Sequence, residues 1–97
     1  RKVSELQLSF AVRGRDLRPG QTRNQNPLVV VTFYDENRAT IGRHTVGPWR
    51  GTFDWQRENA TIAVPPRARE AIIHVGLLGG AGQMDLDDLL LHAPSER

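Results

Sequence analysis

Apolar and polar residues alternate along Ser4–Arg15. Leu6, Leu8, Phe10 and Val12 occupy every second position, and Gln7, Ser9, Ala11, Arg13 and Arg15 fill the positions between and beyond them. Successive side chains of an extended chain point to opposite faces, so a period of two predicts a strand with one buried face. Residues 27–35, PLVVVTFYD, are β-branched and aromatic and apolar on both sides at their start, which predicts a central strand. Pro27 stands at the first position of that run, where its missing N–H is tolerated. DENRA predicts a turn and TIGRHTV a returning strand, together a hairpin.

Farther along, ENATIAVP alternates again, with Ala60, Ile62 and Val64 on one face. IIHVGLLGG predicts a strand with Ile73, Val75 and Leu77 inward and Ile72, His74, Gly76 and Leu78 on the other face. AGQ predicts a tight turn, and MDLDDLLLHA a last strand ended by Pro94. DLRPGQTRNQN predicts a long loop, and PPRAREA a connector with room for one helical turn. Six strand-length runs separated by Pro, Gly and Asn, with no convincing helix, predict a single all-β domain over residues 1–97, built as an antiparallel β-sandwich or barrel.

Composition narrows the partners. The 97 residues carry no cysteine, which excludes disulfides and thiolate metal sites. Net charge is +2, and of the thirteen basic residues only Lys2 is lysine. The arginines are spread among Asp and Glu rather than gathered into a basic stripe, so nucleic acid is not an expected partner. No apolar run approaches the roughly 18–20 residues that span a bilayer, so no membrane partner is expected from helical spans. No secretory leader is legible, and a start at Arg1 suggests a processed or excised piece.

Candidate chemistry is sparse. His44, His74 and His92 are present, but no nucleophile motif surrounds any serine, and an enzyme is not expected. The densest acidic cluster is Asp85–Asp88, in which Asp85 and Asp87 share one face of a strand and Asp88 takes the other. Two carboxylates on one face call for a cation between them, either arginine or calcium, and calcium wants six to eight oxygens. Both tryptophans lie in GPWRGTFDWQ. Trp55, two residues from Phe53, is expected to pack inward. Trp49, between Pro48 and Arg50, is expected to be the freer ring, either stacking on a ligand or plugging the end of the core.

Taken in order, LSFAVRGRDLRPG, VVVTFYDENRATIG, WRGTFDWQ and ATIAVPPRAREAIIHVGLLGGAGQMDLDDLLL resemble the galactose-binding-like jelly-roll carbohydrate-binding modules of the family four, nine and twenty-two group. The resembling positions are Arg13, Asp35, Gly51 to Trp55, Val64 to Ala68, Gly76 to Gly82 and Asp87–Asp88. The resemblance implies a non-catalytic module that recognises a polysaccharide or glycan by aromatic stacking and hydrogen bonds, in an extracellular or cell-surface setting. It implies a packing role for Trp55 and a structural calcium at Asp87. Modules of that group begin with further strands upstream of the matching segment. A truncated sandwich is therefore expected, or a homo-oligomer in which another copy covers an exposed sheet edge.

In a jelly roll, the outer face of one sheet can form a trough. The outward positions are Gln7, Ser9 and Arg13, then Thr32 and Tyr34, then Arg43 and Thr45, then His74, with Trp49 or Arg50 at the rim. Such groups suit sugar hydroxyls, which both donate and accept. The alternative is a structural or protein-interaction sandwich that carries no sugar site.

Overall fold

The structure is a computed structural model that describes residues 4–22 and 25–93. Six strands follow one another: β1 (Glu5–Arg18), β2 (Leu28–Tyr34), β3 (Thr40–Val46), β4 (Gly51–Ala63), β5 (Glu70–Gly76) and β6 (Ala81–His92). They form two antiparallel three-stranded sheets, one ordered β4-β1-β6 and the other β3-β2-β5. The two sheets pack together as a small all-β sandwich, and no helix occurs among the described residues. Pro94 lies outside them.

The period of two builds the core. Leu8, Phe10 and Val12 of β1 and Val29, Val31 and Phe33 of β2 are buried, each set on the inner face of a central strand. Ile62 of β4 joins them, with Ala60 and Val64 packed alongside. Burial of side chains of this size stabilises by about 1.5–3 kcal/mol each, the main force holding the sheets together.

Turn chemistry fixes the connections between strands. The Asp35 carboxylate accepts N–H bonds from Asn37 (2.8 Å) and Ala39 (2.9 Å), closing the β2–β3 turn. Between β5 and β6 the turn is Leu77–Gly80, closed by Gly80 N–H donating to the Leu77 carbonyl at 2.8 Å. Its two central residues, Leu78 and Gly79, both have positive φ (48° and 94°), the type I′ pattern, and the turn carries the chain from the β2 sheet to the β1 sheet. The turn therefore precedes AGQ, which begins β6. PPRAREA holds a turn closed by Ala68 N–H on the Pro65 carbonyl at 3.0 Å, not a helical turn.

Strand boundaries differ from the alternation most in the tryptophan segment. Gly51–Gln56 forms the first half of β4, upstream of the ENATIAVP alternation. Val12 pairs with Gln56 and Gly14 with Phe53, so two residues of β1 advance against three of β4. Asp54 and Trp55 together oppose Arg13, which is a β-bulge. The extra residue inverts the alternation: Phe53 turns inward and packs on the core, while Trp55 turns out.

The two tryptophans are thus reversed from expectation. Trp49 is only 7% exposed, whereas Trp55 is 42% exposed. The Trp49 ring meets Phe10 edge-on, with centroids 5.9 Å apart and planes at 83°. Its backbone N–H donates to the Pro27 carbonyl at 3.2 Å, and its indole Nε1–H to Glu58 Oε2 at 3.3 Å. Of the two earlier alternatives for Trp49, the plug over the core stands, and its ring is not available as a ligand platform. Gly47 makes this entry possible: its φ of +113° is in the left-handed region, and a Cβ there would lie 3.1 Å from the Trp49 ring.

Candidate ligand face on the β1 sheet

Opposite partners in an antiparallel sheet share a face, so the pairing register gives the outer surface of each sheet directly. On the β1 sheet, rows of three run from β4 through β1 to β6. They are Thr61–Gln7–His92, Asn59–Ser9–Leu90 and Arg57–Ala11–Asp87. Next comes Arg13 paired with Asp85, with Trp55 of the bulge on its other side. Arg15 opposite Gln83 follows. The middle strand contributes Ser9 and Ala11, which are small, between longer side chains on β4 and β6. A shallow trough results along β1. From Gln7 to Arg13 it covers about 20 Å at roughly 3.3 Å per residue.

At one end of the trough stands a built cluster. The Arg13 guanidinium carbon lies 4.7 Å from the Trp55 ring centroid, a cation–π distance. Arg13 Nε and Nη2 both donate to Asp85 Oδ2, at 3.1 and 2.9 Å. Gln83 Nε2 donates to the same oxygen at 3.3 Å, so these three donors converge on Oδ2 and none of them reaches Oδ1. Asp54 Oδ1 accepts the Trp55 backbone N–H at 2.8 Å and steadies the bulge. Beside the cluster a depression of about 330 Å³ is lined by Arg13, Gly14, Arg15, Thr52, Phe53, Asp54, Gln83 and Asp85.

A second bulge shapes the β6 wall. Ser9 pairs with Leu90 and Ala11 with Asp87, so β6 carries an extra residue, and Asp88 takes φ +55° there. Asp88 Oδ2 consequently reaches Arg57 Nη1 of β4 at 3.4 Å. Both pairings across the face, Arg13–Asp85 and Arg57–Asp88, are arginine with aspartate.

Asp87 does not fit the expected calcium. Its Oδ1 accepts the Asp88 N–H at 2.8 Å, and among the described residues no group of three or more His, Cys, Asp or Glu converges as a metal cage would require. Asp85 and Asp88 pair with Arg13 and Arg57 instead.

The residues expected to form one trough are divided between the two sheets. Arg13, Gln7 and Ser9 lie on the outer face of the β1 sheet. Tyr34, Arg43 and His74, with Thr32 and Thr45, lie on the outer face of the β2 sheet, in the rows Thr45–Val30–His74, Arg43–Thr32–Ile72 and Thr40–Tyr34–Glu70. These two faces point to opposite sides of the sandwich, so Arg13 cannot act on one ligand with Tyr34, Arg43 or His74. Arg50 is exposed in the segment between β3 and β4, next to the buried Trp49. Sequence reasoning missed Trp55 as the surface ring, together with Gln83 and Arg57, whereas Asp85 takes the arginine partner that was one of its two alternatives. The one signal for Trp55 and Arg57 was the inward phase of Ala60 and Ile62, which, carried back to Gln56, leaves both on the outer face.

No protein-family model, curated protein or solved structure matches this chain.

Proposed function

We propose that this chain is a non-catalytic glycan-binding domain whose ligand lies in the β1-sheet trough, with the Trp55 ring as its platform. One observation carries the reading: an exposed tryptophan is braced by a guanidinium beside a row of charged and amide side chains. A pyranose presents C–H groups on its flat face and hydroxyls around its rim. The C–H groups carry slight positive charge and suit the negative face of an indole. The hydroxyls need donors and acceptors side by side, which Arg13, Asp85 and Gln83 provide.

The charge pattern favours a neutral chain of sugars over a polyanion. Arg13 and Arg57 each face a carboxylate, and Asp54 and Asp87 add further negative charge to the same face. A phosphate or uronate backbone would meet paired, not free, guanidinium groups. The trough is open along its length, which suits an internal segment of a polysaccharide better than a chain end.

Affinity electrophoresis through gels carrying soluble β-glucan, xylan or galactan tests the proposal. Retardation on at least one neutral polysaccharide is expected. Unchanged mobility on all of them refutes it.

A further inference from the structure

The edge of the β2 sheet carries a separate inference. Among the described residues each sheet has three strands, so β3, β4, β5 and β6 are all edges there. The ladders that hold β3, β4 and β6 contain register shifts, whereas β5 pairs with β2 over its whole length without one. Bulges, prolines and charges are the usual guards of a free strand edge. From Ala71 to Met84 the chain has no formal charge and no proline, and His74 is its only titratable residue. The side chains along this edge include exposed apolar ones on both faces: Ile72 (42%) outward and Val75 (44%) on the core side.

We infer that β5 pairs antiparallel with β5 of a second copy, across a twofold axis at Ile72. The sequence of the outward face is self-complementary about that residue. Glu70, Ile72 and His74 occupy successive outward positions. Reversed and set alongside itself, the row places each Glu70 opposite the other copy's His74 and Ile72 opposite Ile72. Carboxylate then meets imidazole twice, and the exposed Ile72 side chains cover each other. On the core side Ala71 faces Ile73. Glu70 is free for this role, since its contact with Arg38 is a loose 3.7 Å pair between largely exposed side chains. The interface is isologous, the commonest form of closed assembly.

The axis stands perpendicular to the joined sheet, so both β1 sheets lie on the same side of the dimer. On the glycan reading above, both Trp55 troughs then face one surface, and two weak sites act together on a repeating polymer. The dimer itself does not depend on that reading.

Sedimentation velocity over a concentration series, without any sugar, tests the pairing. A monomer–dimer equilibrium is expected. Ile72→Lys, at an exposed position, should leave the β-sheet circular dichroism intact and abolish the dimer. Glu70→Lys should weaken dimerisation by roughly tenfold through its two symmetric contacts, and Glu70→Lys with His74→Glu should restore it. The native chain lacks cysteine. A single Ile72→Cys variant should therefore cross-link to a covalent dimer with a short bis-maleimide, while Thr45→Cys on the far edge strand should not. A chain that stays monomeric throughout, or a dimer unmoved by Ile72→Lys, overturns the inference.

Discussion

The guanidinium of Arg13 lies 4.7 Å from the centre of the Trp55 ring while its nitrogens hold Asp85 at 2.9 and 3.1 Å. One side chain thus ties the aromatic of β4 to the carboxylate of β6 across the central strand. Removing it frees both. Arg13→Ala should leave the fold intact, because the side chain is on the surface. It should weaken glycan binding about two- to fivefold, in line with the roughly 0.5–1 kcal/mol of an exposed cation–π contact. Titration calorimetry on the polysaccharide selected by the gel screen measures this.

The two tryptophans should separate by stability. Trp49→Ala removes a buried ring and leaves Glu58 without its indole donor. A loss of about 3–5 kcal/mol is expected, a large part of what a domain of this size has to lose. Trp55→Ala should cost no more than about 1 kcal/mol, its ring being half out of the protein. Urea denaturation checks both. Acrylamide should quench the Trp55 emission of a Trp49→Phe variant far more readily than the Trp49 emission of a Trp55→Phe variant.

Glycine at 47 should prove harder to replace than glycine at 51. Both have positive φ, +113° and +78°, but a Cβ at Gly47 meets the Trp49 ring at 3.1 Å while one at Gly51 meets nothing within 4 Å. Gly51→Ala should cost about 1 kcal/mol of backbone strain, and Gly47→Ala about 2–3 kcal/mol through strain plus displacement of the indole. Thermal melts compared with the parent give the order.

The β4 bulge should be dispensable for the core face. Gln56 lies opposite Val12 on the inner side and Trp55 is outward, so deleting Asp54 restores strict alternation and leaves Phe53 inward, opposite Gly14. The variant loses the carboxylate that accepts the Trp55 N–H and should change stability by no more than about 1 kcal/mol. A loss of about 3 kcal/mol or more on urea denaturation would show that the bulge itself holds Phe53 in the core.

Much of this arrangement was legible from alternation alone. The inward set Leu8, Phe10, Val12 and the outward set Gln7, Ser9, Arg13 follow from a period of two, and so do Val29, Val31 and Phe33 facing the same core. What alternation cannot report is an interruption of itself. The extra residue at Asp54–Trp55 put Phe53 and Trp55 on opposite faces, and the one at Asp88 brought that carboxylate to Arg57. Nor does a period of two say which strand lies beside which. Arg13 and His74 were correctly outward, yet β1 and β5 belong to different sheets, so a shared face did not follow from a shared pattern. The burial of Trp49 depended on a left-handed glycine and a glutamate nine residues along, neither of which a polar flanking sequence signals.

The central claim concerns Trp55, and calorimetric titration of Trp55→Ala against its binding polysaccharide tests it most directly, with Arg43→Ala on the opposite sheet as the comparison. Binding should vanish in the folded Trp55→Ala protein and persist at the parent affinity in Arg43→Ala. Parent-like binding by Trp55→Ala, or its loss in Arg43→Ala alone, would move the ligand off the β1 sheet and contradict the account.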